Sequence, residues 1–240
     1  MKVTNIKNIG SNKYSILIDN KKHIIYGDVL LELNLLSNKD ISEKEYDVLI
    51  HKNNYYVFYH KMISFITFKT RCEKEVFDKL KSLNCKEKDA LDIINRLKQT
   101  GYLNDELYLK SYISDSINIG LKGPNKIVNE LNKKGFDNDI INKYLSSYSD
   151  EIFKDNALRI INKHLKTNKD SSKMFKVKIG KLLISQGYYT NHFNLDSINI
   201  NDSNNYQKEY DKIYKRLSRK YDGEVLEQKI KQTLYQKGYK

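Results

Sequence analysis

Four times this chain ends a stretch of helical spacing in the same way: Gln99-Thr100-Gly101-Tyr102, Lys133-Lys134-Gly135-Phe136, Ser185-Gln186-Gly187-Tyr188 and Gln236-Lys237-Gly238-Tyr239. Each is a polar pair, a glycine and an aromatic, and each glycine follows a leucine by four residues (Leu97, Leu131, Leu183, Leu234). Glycine takes the left-handed conformation that closes a helix, and the residue after it folds back onto the last turn. The glycines lie 34, 52 and 51 residues apart. Helix-opening groups follow the first three: Asn104-Asp105, Asp137-Asn138 and Thr190-Asn191. This spacing predicts a unit of two or three short helices, used in tandem. Repeated helical units bury their apolar faces mainly on neighbours, which predicts an elongated, curved, mainly α array.

The stretch from Gly120 to Phe136 holds one whole copy of the closing helix. Pro124 suits the first helical position, where its missing N–H has no partner to lose. Ile127, Val128 and Leu131 recur at helical spacing, and Lys133 and Lys134 fall in the last turn, where cations face the carbonyl end of the dipole.

The rest of the chain divides around these stops. Residues 1–40 predict a small antiparallel sheet and a short helix. Val3, Ile6 and Ile9 lead into a turn at Gly10–Lys13, Tyr14, Ile16 and Ile18 share a face, and His23–Tyr26 follows a second turn. Asp28 is expected to cap a short helix running through Leu35 and Leu36. In 41–67, Ser42 and Glu45 form a capping box. His51–Asn54 is expected to kink or interrupt the helix there, and Tyr55, Tyr59, Met62 and Ile66 form a core stripe. Four helical repeats are then predicted at 68–112, 113–150, 151–200 and 201–240, with 196–205 as a loop. The pairs Arg71 with Glu73 and Glu75 with Lys79 read as ordinary helix salt bridges.

No catalytic constellation is present. Gly120-Leu-Lys-Gly123 lacks the spacing of a phosphate loop. The histidines at 23, 51, 60, 164 and 192 are scattered and read as surface or partly packed side chains. Cys72 and Cys85 are not at metal spacing and read as reduced thiols of a cytoplasmic protein. No run approaches the ~20 apolar residues of a membrane span. The reading is therefore of a non-enzyme with no cofactor, no metal and no membrane.

Charge points to a partner. The formal net charge is +13. Residues 1–60 hold eight lysines and seven carboxylates, which leaves 35 cations and 23 carboxylates for 61–240. Lys, Asn, Ile and Tyr are all AT-rich codons, which accounts for part of the lysine excess but not for this asymmetry. A basic, elongated body suits a polyanion. The candidate contacts are Lys69 and Arg71, then Lys122, Lys126, Lys133 and Lys134, of which Lys126 and Lys133 share a helix face. The last group is Lys215, Arg216, Arg219 and Lys220, interleaved with Tyr210, Tyr214 and Tyr221. Such groups grip phosphates and stack on bases; the competing reading is a solvated face. Scarce arginine predicts backbone contacts rather than sequence readout.

Gly101-Tyr-Leu-Asn-Asp105, Lys122-Gly-Pro124, Glu130-Leu131 and Lys134-Gly135, in that order, resemble the RecX family of recombination regulators. Arg71-Cys-Glu-Lys-Glu75 is similar to the start of that family's first repeat, with Cys72 where serine is usual. Lys69 stands where arginine is common, which leaves phosphate contact open and disfavours bidentate pairing. The resemblance spans about 45–200, and a strand-rich 1–40 is similar to the extension of longer Gram-positive members. It marks Gly101, Tyr102, Asp105, Gly123, Pro124, Leu131 and Gly135 as motif positions. It implies three-helix units in a curved array, lying in the groove of the RecA–DNA filament; the chain is expected to be a monomer. It also implies a role in recombination, DNA repair and the SOS response by limiting filament growth, strand exchange and coprotease activity, with weak nonspecific contact to single- or double-stranded DNA. A stand-alone DNA-binding module is the competing function.

Overall fold

The computed structural model describes residues 1–35 and 39–239. Among these the chain is mainly helical, with eleven α-helices and a four-stranded antiparallel sheet at the N-terminus. It divides into two compact units, Met1–Tyr108 and Leu109–Lys240.

In the first unit the strands are β1 (Lys2–Gly10), β2 (Lys13–Ile18), β3 (Lys21–Tyr26) and β4 (Lys39–Asp40), in the order β3-β2-β1-β4. β4 pairs Lys2 with Asp40 and Val3 with Lys39; two residues carry no alternation, so this strand had no signal in the sequence. The β1–β2 register shifts between Thr4 and Lys7, where Asn5 has φ +56°. That bulge lets Val3 and Ile6, three apart, both pack inward.

In helix α1 (Gly27–Glu32) the N-cap position is Tyr26, not Asp28, and its side chain makes no capping hydrogen bond. Asp28 instead accepts hydrogen bonds from Asn12 (2.6 Å) and faces His60 (3.2 Å). Leu35 is buried past the end of α1, and Leu36 lies outside the described residues. Helix α2 (Glu43–Phe68) opens on the Ser42–Glu45 capping box and runs unbroken through His51–Asn54. Asn53 has a reason to sit mid-helix: its side chain accepts from the Tyr26 amide and donates to the Ile24 carbonyl, both at 3.0 Å. It thereby satisfies β3. Tyr59, Met62 and Ile66 are buried as the stripe predicts, with Tyr55 partly so and Tyr56 also inside.

Helices α3 (Glu73–Ser82) and α4 (Glu87–Gln99) complete this core, and α5 (Asp105–Asn118) begins in it. Asp105 accepts from the Glu73 amide (2.8 Å), so it caps α3 from 32 residues away while Asn104 caps its own helix through Leu107 N (2.9 Å). The ion pairs differ from the local expectation. Arg71 pairs with Glu75 (3.5 Å), and Glu73 pairs with Lys98.

The second unit continues α5 and adds α6 (Pro124–Lys133), α7 (Asn138–Leu145), α8 (Asp150–Leu165) and α9 (Ser172–Ser185) around one core. Helices α10 (Ser203–Leu217) and α11 (Gly223–Gln236) enclose a smaller one of Ile213, Leu226, Ile230, Leu234 and Tyr239. The four stop glycines all have left-handed φ, between +77° and +88°.

Two stops also join helices end to end. The Gly123 and Asn125 amides, at the start of α6, donate to the Gln186 (2.8 Å) and Gly187 (3.1 Å) carbonyls at the end of α9. A Cβ on Gly123 would lie 2.3 Å from the Gly187 carbonyl carbon, and one on Gly187 would lie 2.2 Å from Lys126 N. The Lys-Gly-Pro motif is therefore a docking surface for a later stop. In the same sense Ser171, the cap of α9, donates its hydroxyl to the Lys237 carbonyl at the end of α11 (2.7 Å). Amide ends meet carbonyl ends, which satisfies orphan groups and aligns the dipoles favourably.

Candidate nucleic-acid interface

The cations singled out from the sequence fall into three groups with different surroundings. Lys69 ends α2 and is exposed. Arg71 is not free: its guanidinium lies 4.3 Å from the centre of the Phe65 ring and its Nη1 reaches Glu75. Its side chain is 21% exposed, and its Nε is buried without a hydrogen-bond partner. Lys79 approaches the same ring at 6.0 Å. Arg71 therefore braces the α2–α3 junction, and Lys69 is the cation that faces solvent.

In the second group, Glu130 is the centre. Its Oε2 accepts from Lys122 Nζ and from the Tyr112 hydroxyl, both at 2.6 Å. Lys122 and Lys134 lie 5.4 and 5.9 Å from the Tyr112 ring centre. Burial pushes the Glu130 carboxyl up, but the bonds from Lys122 and Tyr112 outweigh it and hold the group below its ordinary value. Lys126 donates to the Gln186 side chain (2.8 Å) beside the Gly123–Gly187 contact. The structure thus brings Lys122 and Lys134 together around Tyr112 and turns Lys126 toward α9. Lys133 alone of the four is exposed. Glu130 and Tyr112 are not among the candidate contacts that the sequence suggests, because their pairing across 18 positions leaves no periodic signal.

The third group is open. Lys215, Arg216, Arg219 and Lys220, at and just past the end of α10, are all exposed, and their side chains make no ion pair among the described residues. Tyr214 and Tyr221 beside them are 48% and 36% exposed.

Two other polar features belong to the scaffold. In the first unit, a groove of about 530 Å³ includes Glu32, His51, Lys52, Tyr55 and Arg96 in its lining. Glu32, Lys52 and Arg96 are held in one bonded set there. Arg96 donates to Tyr56 (2.9 Å), Tyr56 to Glu32, and Lys52 to Glu32 (2.6 Å). In the second unit His192 is 2% exposed and stacks 5.5 Å from Phe153. Histidines were expected at the surface or partly packed; this one is core. Burial lowers its pKa, with Asp150 opposing. No group of three or more metal-ligating side chains occurs among the described residues, and no described helix is long and apolar enough to cross a membrane.

Comparison with known proteins bears on the same elements. A family model described as "RecX, second three-helix domain" matches residues 104–145, which span α5 to α7. The regulatory protein RecX of Listeria welshimeri is 30% identical over 249 residues, covering 100% of this chain and 93% of its own. The chain belongs to the RecX family. The RecX of Streptococcus pyogenes is 29% identical, with 100% of this chain and 95% of its own covered. Among solved structures, a crystal structure of regulatory protein RecX matches with a TM-score of 0.65 at 22% identity, covering 80% of this chain and 96% of that one. RecX from Lactobacillus salivarius matches with a TM-score of 0.52 at 28% identity, covering 61% and 94%. The resemblance stated from the sequence and the mainly helical fold with its small sheet are thus both borne out.

Proposed function

We propose that this RecX protein is a non-enzymatic modulator of the RecA recombinase. It binds in the groove of the RecA–DNA filament as a cytoplasmic monomer and limits filament growth, ATP hydrolysis and strand exchange. The division of the helical region at 68–112, 113–150, 151–200 and 201–240 belongs to the same proposal. One observation carries the reading. Exposed cations without a carboxylate partner (Lys69, Lys133 and the group at 215–220) stand at helix ends of a repeated helical scaffold, while the other candidate cations are consumed in holding that scaffold together. A body that touches a polyanionic filament needs free charge at several places and no active site. The relatives' name, regulatory protein RecX, agrees with this.

Adding the protein to ATP-bound RecA on single-stranded DNA should slow ATP hydrolysis or shorten the filaments. An unchanged rate and length at several-fold stoichiometric excess would overturn the proposal. The second reading, a stand-alone nonspecific DNA-binding protein, is favoured by the open group on α10. It expects salt-sensitive binding to naked DNA.

A further inference from the structure

Helix α10 carries a ladder of tyrosines. Tyr206, Tyr210 and Tyr214 recur every four residues, and their rings stack with centres 6.4 and 6.3 Å apart and planes 25° and 13° from parallel. The inner end is anchored: Tyr206 meets buried Tyr239 edge-on at 5.6 Å. The outer end is not. The next position on this stripe is Ser218, small and exposed, so no ring follows Tyr214. Between Tyr210 and Tyr221 the chain has five cations and one carboxylate, Asp211, which accepts from Gln207 (2.9 Å). Of the five, only Lys212 has an acidic partner among the described residues, Glu209 at 3.6 Å. Lys229 of α11 lies 4.9 Å from the Tyr221 ring centre, and the nearest further carboxylates in sequence, Asp222 and Glu224, follow Tyr221.

We propose that the outer end of this ladder is a binding site for single-stranded nucleic acid, with an unpaired base stacking on Tyr214 as the next rung and Arg216, Arg219 and Lys220 holding the flanking phosphates. The site rests on the DNA contact of the proposed function and specifies its mode. Base stacking on an aromatic tolerates any sequence, because every base has a π-face. Duplex DNA presents the same phosphates but keeps its bases stacked on each other. An acidic protein surface would use the cations and leave the ring without a partner.

Fluorescence anisotropy with the full chain, without RecA, tests this against three labelled probes: a short oligothymidine, an abasic strand of equal length and the matching duplex. Tyr214→Ala should weaken oligothymidine binding about tenfold and leave the abasic strand unchanged. Tyr214→Phe should retain binding, and Tyr214→Leu, which keeps apolar bulk without a stacking plane, should lose it. Arg216→Glu with Arg219→Glu should weaken all three probes and flatten the salt dependence by about 0.7 in slope per lost single-strand contact. Equal loss on oligothymidine and the abasic strand, no loss with either Ala or Leu, or duplex binding as tight as oligothymidine would overturn the proposal. If it falls while RecA hydrolysis still responds to the protein, the regulatory reading stands without this site.

Discussion

Gly123 and Gly101 are both motif glycines, yet they are glycine for different reasons. Gly101 has φ +77° and open space where a Cβ would go. Gly101→Ala should therefore cost only the left-handed backbone penalty, about 1 kcal/mol. Gly123 has an ordinary φ of −78°, but a Cβ there would strike the Gly187 backbone. Gly123→Ala should cost about 2 kcal/mol through forced separation of α6 from α9. Urea melts of the two variants check this, and equal losses would refute the contact. The left-handed stops could be read from sequence because one residue type and its neighbours encode them. The role of Gly123 could not, because its partner is 64 positions away. The second unit should also respond to acid in two steps. His192 has a folded-state pKa below its ordinary 6.5, so the stability it confers is complete above 6.5 and declines as pH falls below it. Glu130 titrates below its ordinary 4.5, so its contribution is complete above 4.5 and is lost as pH falls further. His192→Asn should abolish the first step, and Glu130→Gln the second, in melting temperatures measured across that range.

Among elements, the helices are the most legible, since apolar residues recur at helical spacing along α3, α4, α6 and α9 and a left-handed glycine closes the last three. The failures lie where a distant partner overrides local chemistry. His51–Asn54 reads as an interruption, but Asn53 belongs to the sheet as much as to α2. Asn53→Ala leaves the Tyr26 amide and Ile24 carbonyl without their partner and should cost about 2 kcal/mol in the first unit. Asp28 reads as a cap and is instead a link between the β1–β2 turn and His60. The small core between α10 and α11 rests on five buried hydrophobic residues. Its amides should exchange with solvent faster than those of α5 or α9, as expected for the smallest of the three described cores.

For the molecule as a whole, the charge asymmetry pointed to a polyanionic partner but not to which cations serve it. That depended on Phe65, Glu75, Tyr112, Glu130 and Gln186, each of which engages a cation that sequence alone leaves free. Exposed Lys133 is the clean probe. Lys133→Glu should leave stability within about 0.5 kcal/mol while weakening association with RecA filaments on the proposed function. Lys122→Glu sets a carboxylate against Glu130 and should destabilise the fold first. Sedimentation of filaments with each variant, read beside its melting curve, separates the two outcomes. The end-to-end helix joints carry a further consequence, for a chain made from its N-terminus. The start of α6 stays uncovered until Gly187 has been synthesised, and Ser171 waits for Lys237. Within the second unit a later helix end therefore completes an earlier helix start, and a ribosome that stops early leaves that start open to water.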